Sequence, residues 1–111
     1  MTAFTLRVFH PSVDPRTITE ALGLPPTTSW AADGDQRESY WQTQLAGNET
    51  ADGGVDAGLR DIAARFAHYR FFVDAIRAGG GRVEIAVSGG GAADATVAEM
   101  FRGLMIGLVF E

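Results

Sequence analysis

Residues 4–26 read FTLRVFHPSVDPRTITEALGLPP, and this stretch sets the class of the fold. Its first six residues alternate, with Phe4, Leu6 and Val8 on one face, which predicts a strand from Phe4 to Phe9. His10-Pro11-Ser12 ends it, because proline cannot donate to a ladder. A helix start follows at once. Asp14 is placed to cap it, Pro15 takes the first helical position, and Val13 can staple against Ile18. Ile18, Ala21 and Leu22 form the apolar stripe, Gly23 caps the end, and Pro25-Pro26 forbid continuation. Strand, capped helix and stop within 23 residues point to alternating elements and an α+β chain.

Working outward, residues 27–38 read as a polar loop, and 40–45 as a second strand with Trp41, Thr43 and Leu45 in phase. Residues 47–54 are a polar turn. From 56 to 78 the apolar residues Leu59, Ile62, Phe66, Tyr69, Val73 and Ile76 recur every three or four positions, one continuous helical stripe. Such a helix is about 34 Å long, so it either crosses the whole sheet or bends near His68. Gly79-Gly80-Gly81 ends it. Val83, Ile85 and Val87 mark a third strand, and residues 94–102 a short helix with Thr96 and Glu99 at capping-box spacing, closed by Gly103. The apolar run 104–110 predicts a last strand buried on both faces, hence central. The expected fold is a single α+β domain, residues 1–111. One layer of helices covers a mixed four-stranded sheet in the order β-α-β-α(long)-β-α-β, with a ferredoxin-like outline made of two βαβ halves.

A chain of 111 residues with 46% hydrophobic content supports one core without staples. It contains no cysteine, which removes disulfides and thiolate chemistry. All nine cations are arginine and the net charge is −5. That acidic balance lacks the basic stripe nucleic acid demands. The opening residues have no basic n-region before an apolar run, and no run is long enough to span a bilayer, so a cytoplasmic protein without membrane contact is expected.

Residues 13–26 resemble the opening of the bacterial family called domain of unknown function 4279: an Asp-Pro helix start followed by a Leu-Gly-hydrophobic-x-Pro helix end. Trp30, Gly34, Asp35 and Trp41 stand where that family has a Trp, a Gly-acidic pair and a second Trp. Residues 104–111 are similar to its closing turn and strand, with Met105 in place of a glycine. The resemblance carries no activity with it; it implies at most an immunity or antitoxin-type partner.

Few residues carry chemistry. His10 and His68 sit on different elements, each without an acidic partner at helical spacing, and there is no Gly-x-Ser-x-Gly elbow; no catalytic residue, metal site or cofactor is expected. The glycine loop 88–94 could cradle an anion, but it lacks a P-loop lysine and Asp94 repels phosphate. Asp33, Asp35 and Glu38 lack a cation loop's spacing and read as a solvated segment. Trp30 and Trp41 either pack structurally or line a small-ligand pocket closed by loop 27–38, with Asp35 and Arg37 at its rim. On the long helix Phe71 points away from the apolar stripe, with Ala64, His68 and Ala75 around it. That pattern suggests self-association as a homodimer through the helix backs. The expectation is therefore a non-catalytic protein-interaction module, with a small-ligand domain as the alternative and an enzyme as a distant third.

Overall fold

The structure is a computed structural model describing residues 3–33, 37–45, 54–88 and 95–111. Its first strand, β1 (Ala3–His10), buries Phe4, Leu6 and Val8 and leaves Thr5, Arg7 and Phe9 on the opposite side. Helix α1 (Pro15–Leu22) follows. The Asp14 carboxylate accepts the Arg16 N–H at 3.0 Å, and the Asp14 carbonyl accepts from Thr17 at 2.9 Å, so the predicted cap is formed. Val13 and Ile18 both join the core, as a staple requires. Gly23 ends the helix at φ 68°, donating to the Thr19 carbonyl at 2.8 Å.

Two further strands follow, β2 (Thr28–Trp30) and β3 (Ser39–Leu45). The first of these corrects the expected loop 27–38 and makes the sheet five-stranded rather than four-stranded. All three of its residues are exposed, so it carries no alternation to read. Next come α2 (Gly54–Phe66), a 3₁₀ turn (Ala67–Tyr69), α3 (Arg70–Ala78), β4 (Arg82–Ser88), α4 (Ala95–Leu104) and β5 (Gly107–Phe110). The apolar stripe from Leu59 to Ile76 is thus interrupted at His68. No proline or glycine lies there, so the break comes from packing: the Tyr69 hydroxyl reaches the Leu22 carbonyl at 3.4 Å, and the Phe66 and Tyr69 rings tilt together at 5.6 Å.

The strand order is β2-β3-β1-β4-β5, with only β4 and β5 parallel. The expected pair of βαβ halves is therefore half right. β4, α4 and β5 form one. In the other, β2 takes the parallel direction after α1, and β3 returns antiparallel between β2 and β1. A second correction concerns β5, which lies at an edge and not in the centre. The apolar run 104–110 reflects three separate demands. Leu104 ends α4, one residue beyond the expected stop at Gly103; Ile106 is buried beneath α4; and only 107–110 are strand.

Both α3 and α4 close with the same device. The residue after the helix cap adopts a left-handed conformation, Gly80 at φ 92° and Met105 at φ 62°. The two residues donate to Arg77 and Arg102, and their successors Gly81 and Ile106 reach back to Ile76 and Phe101. Glycine does this freely; Met105 does it at a steric cost.

Trp41, Thr43 and Leu45 on β3 stand opposite Val8, Leu6 and Phe4, and Val83, Ile85 and Val87 on β4 complete that face. The buried faces of α1, α2, α3 and α4 join the same cluster through Ile18, Ile62, Val73 and Phe101. All the described helices therefore lie on one side of the sheet. No buried side-chain polar atom among the described residues lacks a partner. Ser39 shows how this is achieved: its hydroxyl donates to the Val13 carbonyl at 2.6 Å and accepts from the Ala32 N–H at 3.0 Å, tying two loops to the start of β3. Among the described residues, no helix is long and apolar enough to cross a membrane.

Candidate functional site

With every helix on one face, the other face of the sheet is left open by the described elements, and its residues can be read row by row from the strand register. The first row runs Trp30, Tyr40, Phe9, Arg82 across β2, β3, β1 and β4. These side chains form a continuous row of contacts, stacked at Trp30–Tyr40 and tilted at Tyr40–Phe9. The Trp30 and Tyr40 ring centroids lie 4.7 Å apart, those of Tyr40 and Phe9 5.0 Å apart, and the Arg82 guanidinium sits 3.9 Å from the Phe9 centroid. The second row, Thr28, Gln42, Arg7 and Glu84, is polar; the third, Gln44, Thr5, Ala86 and Val109, is small and flat.

The charges on this face are mostly paired internally. Arg7 donates to Glu111 at 2.8 Å, and Arg82 to Glu84 at 3.1 Å. By register the Arg7–Glu111 bridge runs diagonally over Ala86, and this explains why Ala86 is only 1% exposed on a face that no helix covers. The Tyr40 hydroxyl bonds Gln42, and burial pushes its phenol above the ordinary tyrosine value. Trp30 remains 40% exposed at the end of the stack. The result is a flat, ordered surface with one accessible indole and the Arg82 guanidinium at the other end of the row. Such a surface can bind by stacking and shape.

The predicted pocket residues do not converge. Trp41 is 0% exposed on the helix-covered face, its Nε1 donating to the Thr19 hydroxyl at 3.0 Å. Trp30 pairs with Tyr40, the neighbour of Trp41, and so projects from the opposite face. A pocket shared by the two indoles is therefore not formed. Arg37 is exposed, while Asp35 and the glycine loop 89–94 lie outside the described residues. A pocket of about 270 Å³ lies elsewhere, beside the 3₁₀ turn, lined by Leu24, Leu45, Phe66 and Tyr69 together with Arg65 and His68. Ala64, His68, Phe71 and Ala75 are all exposed, Phe71 at 89%, with Asp74 also exposed one turn on. Among the described residues no three His, Asp or Glu side chains gather as metal ligands would.

The aromatic row was legible in part. Phe9 and Tyr40 stand on the outward phase of strands whose inward residues are Val8 and Trp41, and large aromatics out of phase are a signal for a second used face. Arg82 and Trp30 joined them only through pairing of strands distant in sequence. No family model, no curated protein and no solved structure matches this chain.

Proposed function

We propose that this chain is a non-catalytic protein-interaction module that docks a basic protein partner on the open face of its sheet, with Trp30 as the anchor. The observation that carries this reading is the Trp30–Tyr40–Phe9–Arg82 stack on a face that the described helices leave uncovered. Tryptophan, tyrosine and arginine are the side chains that dominate protein–protein contacts, because they offer large rigid areas with polar tips. An exposed indole face attracts a partner's lysine or arginine, and a net charge of −5 steers a basic surface toward it. The immunity or antitoxin-type context implied by the resemblance in residues 13–26 agrees with such a partner.

The alternative, a small-ligand domain, is favoured by one observation, the apolar pocket at the 3₁₀ turn, which suits a compact apolar molecule. A photo-crosslinking residue placed at position 30, and separately at the exposed Glu20 on the helix side, tests the main reading in the cell of origin. The expected result is a discrete protein adduct from position 30 alone, lost on Arg82→Ala and weakened by salt. Equal adducts from both positions, or none from position 30, refute it.

A further inference from the structure

The strand β5 is an edge strand with the sequence of an interior one. From Gly103 to Phe110 there is no charge and no proline, two of the features that keep a natural sheet edge unpaired. Phe110 is 40% exposed and Leu108 and Val109 are half-buried. The backbone is only half used. Glu111 donates its N–H to the Val87 carbonyl at 2.8 Å, and β5 runs parallel to β4 with Leu108 opposite Ile85. Backbone groups alternate sides along a strand, so residues 107, 109 and 111 face β4. The N–H and C=O groups of Leu108 and Phe110 point outward, where no further strand lies among the described residues.

We infer that β5 pairs antiparallel with β5 of a second copy, about a twofold axis at Val109, joining two five-stranded sheets into one continuous sheet. The register follows from the residues. With Val109 on the axis, Leu108 stands opposite Phe110 of the second copy, and all the outward groups of both residues are used. Shifting toward Ile106 loses a bond, because the Ile106 N–H is already given to the Phe101 carbonyl at 3.1 Å. In the chosen register Glu111 faces a glycine, so the two carboxylates are not opposed. Leu108 and Phe110 share the helix-covered face, and each ring covers the leucine across the axis. The opposite edge, β2, is three residues long and exposed throughout, so β5 meets its own copy in a closed, isologous contact. This pairing leaves the open face and its aromatic row free.

The absence of cysteine gives a direct test. Val109 would form a non-hydrogen-bonded pair across the axis, with Cα atoms about 4.5 Å apart, inside the range a disulfide spans. Val109→Cys should oxidise to a covalent dimer, whereas Ser29→Cys on the other edge should form no disulfide-linked dimer. Light scattering at high micromolar concentration should give a dimer for the parent chain and for Phe71→Glu. Phe110→Pro removes only an outward N–H and an exposed ring, and should raise the dissociation constant about tenfold or more while keeping its circular dichroism spectrum. A monomeric parent whose Val109→Cys form stays reduced overturns the inference. So does a dimer that survives Phe110→Pro and is lost in Phe71→Glu, which assigns the contact to the back of α3.

Discussion

Replacing Trp41 with alanine empties the largest fully buried side-chain volume in the protein. The indole is 0% exposed, stands opposite Val8 on the central strand, and gives its Nε1 hydrogen to Thr19 on α1. Loss of a buried tryptophan costs about 3–5 kcal/mol, of which the hydrogen bond accounts for about 1 kcal/mol. A domain of 111 residues has roughly 6–17 kcal/mol in total. An unfolding entropy of about 2.1 cal/mol/K per residue makes each kcal/mol worth about 4 °C, so melting should fall by about 12–20 °C. Trp41→Phe keeps one ring, and Thr19 retains its bond to the Pro15 carbonyl, so its cost should be smaller, about 1–3 kcal/mol. Urea unfolding of both variants measures the difference. Iodide quenching separates the two indoles: with Trp30→Phe the remaining fluorescence should resist iodide, and with Trp41→Phe it should be quenched. An alanine variant within about 0.5 kcal/mol of the parent, or a Trp41 open to iodide, would refute the packing described.

Met105→Gly should stabilise the protein, since relief of the left-handed conformation is worth roughly 1–2 kcal/mol and the added chain freedom costs roughly 0.5–1 kcal/mol. The net gain, about 0.5–1 kcal/mol, should raise melting by about 2–4 °C; a lower melting temperature would show that the side chain packs better than its half-exposure suggests. Asp14→Ala should lower the urea midpoint through loss of the cap. The Arg16 guanidinium and N–H hold the Asp14 carboxyl below its ordinary value of 3.8. Its contribution is therefore complete above that value and fades as the pH falls through the lower folded one. The gap between parent and variant should narrow in strong acid, and a gap independent of pH would contradict the Asp14–Arg16 contact.

What the sequence disclosed and what it hid have physical causes. β1 and α1 are governed by local rules, alternation, a carboxylate cap and a left-handed glycine, and these act within a few residues of each other. The position of β5 was misjudged because Leu104, Ile106 and Leu108 are apolar for different reasons, and a one-dimensional run cannot separate them. β2 gave no signal, since Thr28, Ser29 and Trp30 are exposed and bound to the sheet only through β3. Once β2 was missed, the placement of Trp30 was lost as well. One residue of register decides which face a side chain joins, and that register puts Trp30 beside Tyr40 and across the sheet from Trp41. The 3₁₀ turn at His68 escapes the pattern for a similar reason: Tyr69 reaches a carbonyl on α1, a contact invisible to helical periodicity.

The central place of β1 shapes the birth of the molecule. It leaves the ribosome before the other described strands, yet its neighbours are β3 and β4, and the second of these ends at Ser88. Until then Phe4, Leu6 and Val8 have no complete lid, and one flank of the strand stands open. Synthesis must therefore carry an adhesive segment from β1 to the end of β4 before it is sheltered. Arg7, set among those apolar residues, puts a charge of the kind that opposes aggregation into the waiting segment.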